Sequence, residues 1–106
     1  RVLFRSWLII MFDLPTTDSE ARADYRHFHD FLLNEGYLRL QLSVYGRHCA
    51  SEENGAVHMQ RLRAALPPDG EVRVLTLTDK QFSRMQVFFG RMRQRTEPPP
   101  EQILLL

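Results

Sequence analysis

The sequence predicts an α+β domain of the ferredoxin-like type, β-α-β-β-α-β, with one further strand near the C-terminal end. Three observations point there. Apolar or alternating runs at 7–12, 38–45 and 71–78 have the lengths and periods of strands. Two stretches between them carry apolar residues at helical spacing. Turn signals separate the runs, so two helices fall on one face of an antiparallel sheet.

The first run, Trp7 to Phe12, reads as a buried strand, and Asp13 stands where it stops. Pro15 prevents continuation. Function in small α/β folds gathers at the carboxyl ends of strands, and a lone carboxylate there must be solvated, paired or bound to a cation. From this segment alone, Asp13 reads first as an ordinary turn-forming acid. The next stretch places Ala21, Tyr25, Phe28 and Leu32 on one helical stripe. Asp18 suits its N-cap, Glu20 suits the positive end of its dipole, and Gly36 suits its C-terminal cap.

In the following run Leu38, Leu40, Leu42 and Val44 alternate with Arg39, Gln41, Ser43 and Tyr45, the pattern of a strand with one buried face. A bulge near Leu42 and Ser43 would split it in two. Ser51 then offers an N-cap, with Glu52 and Glu53 in the first turn of a second helix. Met59, Leu62 and Leu66 form its inner stripe, with His58 on the flank. Pro67 to Gly70 stop it and turn the chain. The strand after the turn sets Val72 and Val74 on one face and Leu75 and Leu77 on the other. The run from Ser83 to Phe89 reads as the last strand, ending at Gly90.

Residues 1–90 therefore read as one domain and 91–106 as a tail. In the tail, EPPPE is a stiff linker, and Ile103 to Leu106 form an apolar end suited to docking on another surface. A chain of 106 residues buries a core with little margin, and a homodimer with the last strand or tail exchanged would add buried area. The 14 basic and 13 acidic side chains nearly cancel, but Arg84, Arg91, Arg93 and Arg95 form an acid-free tract suited to phosphate. A solvated tail has the same composition. Cys49 is the one cysteine, which excludes an internal disulfide and fits a reducing cytoplasm. No stretch is long and apolar enough to span a membrane, and the start lacks both a cleavage pattern and an initiator Met.

The sequence carries no Gly-rich phosphate loop, no CxxC and no HExxH. His27 and His29 are two apart on a helix and do not face one another. His48 and Cys49, adjacent on a strand, point apart. Ser43 has no base beside it in sequence. Asp13 remains. One carboxylate is a poor magnesium site alone, and two copies brought together by a two-fold axis would make a better one.

Several separated blocks also agree in order and spacing with a known pattern: FDLP, SVY-x-RHC-x-S-x-EN and LTDKQF. Over Trp7 to Gly90 the chain resembles the second core CRISPR-associated protein, the small dimeric partner of the spacer-acquisition integrase. The resemblance implies a ferredoxin-like homodimer whose last strand crosses onto the partner's sheet. It implies a scaffold that binds double-stranded DNA and bridges integrase subunits in the cytoplasm. It further implies a metal-dependent endonuclease acting on single-stranded RNA or on DNA. Asp13 would be the catalytic and metal residue, with magnesium or manganese as cofactor. The family's strand serine, aromatic and nearby basic residue map onto Ser43, Tyr45 and Arg47; Tyr45 stands where many members have Phe. The rivals are a ribonuclease toxin of the same fold and a non-enzymatic ferredoxin-like RNA-binding module.

Overall fold

The computed structural model describes residues 5–91. Their elements run β1 (Ser6–Asp13), α1 (Ser19–Asn34), β2 (Leu38–Gln41), β3 (Val44–Cys49), α2 (Glu52–Ala64), β4 (Glu71–Thr78) and α3 (Asp79–Ser83). The sheet order is β2-β3-β1-β4 with every pair antiparallel, the ferredoxin-like arrangement. Arg93, Arg95, the EPPPE linker and the apolar end lie outside the described residues.

β1 is central and its period of two builds both sides of the molecule. Leu8, Ile10 and Phe12 point into the main core, with Phe28 and Leu32 of α1, Leu62 of α2, and Tyr37, Tyr45 and Cys49. Val72 and Val74 pack against the same core from β4. Trp7, Ile9 and Met11 point the other way, toward a smaller cluster with Phe82, Leu40, Val44 and Leu77. Here the Trp7 and Phe82 rings stack at 4.0 Å and 8°.

The first helix forms where the stripe places it. The Asp18 carboxylate accepts the Ala21 N–H at 2.8 Å. At the other end Gly36 takes φ 90°, with Gly36 N–H bonding Leu33 C=O at 3.1 Å and Tyr37 N–H bonding Leu32 C=O at 3.0 Å. That crossed pair is a Schellman cap, sealed by the core residues Leu32 and Tyr37. Ser51 caps α2 through Asn54 N–H at 3.1 Å.

Three expectations need correction, and one open alternative is decided. The run at 38–45 is split into two strands, a hairpin with its turn at Leu42 and Ser43, where the sequence allowed a break, and a register shift between Arg39 and Gln41. Its leucines do not form a buried face: Leu38 and Leu42 are exposed, while Tyr45, of the opposite parity, is fully buried. Helices α1 and α2 cover only the Tyr45 side of the sheet. Leu66 lies beyond the end of α2 and is exposed; His58 is the buried neighbour of Leu62 instead.

The expected strand at 83–89 is absent from the described residues. A capping box at Thr78 and Gln81 starts α3, so Ser83 closes a helix. The following segment from Met85 to Phe88 lies along Ile9, Met11, Leu40 and Val44, bordering a groove of about 300 Å³. A strand needs a ladder partner, and this segment has none in its own sheet.

The turn before β4 is built around Gly70 at φ 94°. A Cβ there would stand 2.7 Å from the Asp13 carbonyl oxygen and 2.7 Å from Leu14 Cδ2. Positive φ and the contact with backbone both exclude a side chain. Gly70→Ala is therefore expected to cost at least about 1–3 kcal/mol, read as a lower urea midpoint at unchanged slope. A midpoint equal to that of the parent protein would refute this account of the turn.

Candidate active site

Asp13 is the last residue of β1 and follows the parity of Trp7, Ile9 and Met11, so it belongs to the face without α1 and α2. It is exposed, and its carboxylate makes no hydrogen bond or ion pair among the described residues. The ladder places Glu71 directly opposite it on β4 and Arg73 opposite Met11, on the same face. Like charges directly opposite on a sheet repel. Arg73 relieves this by gripping Glu71: its Nε donates to Oε1 at 3.0 Å and its Nη2 donates to Oε2 at 3.2 Å. That grip holds the Glu71 carboxyl below its ordinary range.

Ser43 comes to the same end of the sheet. Its carbonyl accepts the Phe12 N–H at 3.1 Å, which sets the β2–β3 turn beside the end of β1. Ser43 is half-buried.

The other expected residues are elsewhere. Tyr45 is fully buried, its ring 5.7 Å from Phe12 and 5.9 Å from His29. It is a core residue and does not face the surface, because β3 turns it toward α1. Burial raises its phenol above the ordinary range. Arg47 pairs in register with Leu8, five residues from Asp13 along β1, or about 17 Å. Its Nε donates to Glu35 C=O at 2.8 Å and its Nη1 donates to His48 C=O at 2.7 Å. It therefore ties the end of α1 to β3. Arg84 is the C-cap of α3, the helix whose Phe82 stacks on Trp7, far along the sheet from Asp13. Arg84 and Arg91 are exposed.

The remaining polar groups are structural. His58 Nδ1 lies 3.0 Å from the Glu35 carboxylate, which also accepts Arg61 Nη1 at 3.4 Å. Burial pushes the Tyr37 hydroxyl up to about 12 and raises the Cys49 thiol, so neither ionises readily. No group of three or more metal-ligating side chains occurs among the described residues.

Glu71 and Arg73 were not singled out by sequence reasoning. Alternation in EVRVLTLT does put them on the Leu75 face. Only the register with β1 sets them beside Asp13.

Comparison with known proteins agrees with this architecture. A family model described as CRISPR associated protein Cas2 matches residues 6–85. The chain is similar to the "CRISPR-associated endoribonuclease Cas2" of Parvibaculum lavamentivorans, 50% identical over 99 residues, or 93% of this chain and 98% of that one. The protein of the same description from Flavobacterium psychrophilum is 40% identical over 93% of this chain and 86% of its own length. A solved structure titled "Crystal structure of cas2" superposes with a TM-score of 0.59 at 19% identity, covering 89% of this chain and 97% of that one. With a matching family model over most of its length and a half-identical relative covered almost end to end, this chain belongs to the CRISPR-associated Cas2 family.

Proposed function

We propose that the chain is an endoribonuclease whose cleavage site is built on Asp13, working as a homodimer within the CRISPR spacer-acquisition machinery. The observation that carries the site is the solvent-open, unpaired carboxylate at the end of the central strand. The relatives' description as endoribonucleases supports the reaction class.

Asp13 offers hard carboxylate oxygens, the donor type that magnesium or manganese takes. The described residues of one protomer supply too few ligands for a closed site, which leaves room for water and a substrate phosphate. Asp13 would hold the ion, and the chemistry such an ion supplies is charge neutralisation at the phosphate. Ser43 stands close enough to the end of β1 to position the strand being cut. Among the described residues the nearest carboxylate, Glu71, is held by Arg73.

The dimer reading rests on the second face of the sheet. Leu38, Leu75, Met85 and Phe88 are exposed there or beside it. β4 is an edge strand eight residues long. Long apolar edges and open apolar faces are ordinarily covered. A second copy seated on the Leu75 and Phe88 part of that face would cover its apolar patch, leave the Asp13 end open to solvent and bring two Asp13 residues to one side of the assembly. Exposed Arg84 and Arg91 would serve double-stranded DNA, and integrase subunits would bind this dimer as the bridge between them.

Asp13→Asn keeps the shape and removes the charge. It is expected to lower metal-dependent cleavage of a single-stranded RNA by at least about 100-fold, beyond the loss from disturbing an outer partner of a metal ligand. Circular dichroism and sedimentation should stay those of the parent protein. Cleavage that survives in rigorously purified variant would rule Asp13 out.

Leu75→Glu puts a charge on the open face without touching the main core. Sedimentation equilibrium should then show monomers where the parent protein is dimeric. An unchanged dimer would place the interface elsewhere.

A further inference from the structure

Resting on that endoribonuclease reading, we propose that Arg73 is the phosphate-binding residue of the Asp13 site, and that Glu71 holds it in place while no RNA is bound. The placement comes from the ladder. Asp13, Met11, Glu71 and Arg73 share the open face, with Glu71 opposite Asp13 and Arg73 one step along β4 on the diagonal. Diagonal neighbours on a sheet lie about 7–8 Å apart, within reach of a long side chain. A phosphodiester drawn to the Asp13 end thus meets a guanidinium on the same surface.

The grip on Glu71 is suited to release. Both side chains are mostly in solvent, 71% exposed for Arg73 and 62% for Glu71. Exposed ion pairs of this kind are weak and salt-sensitive. A phosphodiester offers the same planar fork a bidentate acceptor, and the neighbouring phosphates of the strand add to its pull on the guanidinium. When Arg73 turns to phosphate, Glu71 is left beside Asp13 with its charge uncompensated, which adds to the negative potential where a divalent cation would sit. Arg47, the basic residue the family resemblance implied for this task, is occupied about 17 Å away along β1.

The alternative is that Arg73 only neutralises two facing acids and never touches RNA. A double-mutant cycle separates the two. Binding of a short single-stranded RNA is measured in chelator across several salt concentrations for the full chain and for Arg73→Gln, Glu71→Gln and the double variant. If Arg73 contacts phosphate, Arg73→Gln weakens binding and lowers the log–log salt slope by about 0.7. Glu71→Gln frees Arg73 and tightens binding about two- to five-fold. In the Arg73→Gln background that gain falls by at least half. An unchanged slope in Arg73→Gln, or a Glu71→Gln gain of equal size in both backgrounds, overturns the proposal. Circular dichroism on each variant confirms an intact sheet. Asp13→Asn cleavage decides the endoribonuclease reading separately, since binding in chelator does not depend on it.

Discussion

Strand β1 carries apolar side chains on both faces, and α1 and α2 are enough to cover only one of them. Leu8, Ile10 and Phe12 are buried under the helices. Among the described residues, what lies over Trp7, Ile9 and Met11 is Phe82 of the short α3 and a few residues beyond it, with Leu40, Val44 and Leu77 of the sheet alongside. The rest of the molecule follows from this imbalance. The Trp7–Phe82 stack fixes where α3 lies, and α3 in turn directs the chain along the open face. Asp13 inherits its position from the same alternation: odd-numbered residues of β1 share the uncovered face, so its carboxylate stays in water at the edge of an apolar surface.

Much of this was legible in the sequence, and the failures have physical causes. Local signals were reliable where one interaction decides the geometry. Asp18, Ser51 and Gly36 each cap a helix by a backbone hydrogen bond that the residue type itself favours. Alternation gave the two faces of β4 correctly. It failed at 38–45 because period two assigns residues to two faces without saying which face is covered. The leucines there look like core residues, yet Tyr45 is the one the helices bury. The segment after Ser83 misled for a related reason. Its composition is that of a strand, but pairing is a property of neighbours, and the four strands of the sheet pair with one another and not with Met85 to Phe88.

The site was legible in part. Asp13 stood out because an acid at the end of an apolar run is conspicuous. Ser43 joins it through a backbone contact made by the hairpin turn. Glu71 and Arg73 were hidden because they lie 58 and 60 positions along the chain from Asp13 and meet it only through strand register. Conversely, SVYGR reads as a compact cluster of polar and basic groups. The pleat and the length of β3 pull it apart: Ser43 goes to one end, Tyr45 into the core and Arg47 to the other end.

The position of Arg47 bears on how variants of such a chain should be interpreted. Its guanidinium bonds carbonyls from two different elements, one at the end of α1 and one in β3, and a Cβ placed on Gly36 would stand 3.6 Å from it. An alanine there strands two carbonyls at once and loosens the joint on which α1 ends. If Asp13 acts as proposed, a screen for lost RNA cleavage would score Arg47 beside Asp13, and the two would look like members of one site. They would differ in the amount of protein the cell retains, because a loosened joint is removed by proteolysis and a silent carboxylate is not.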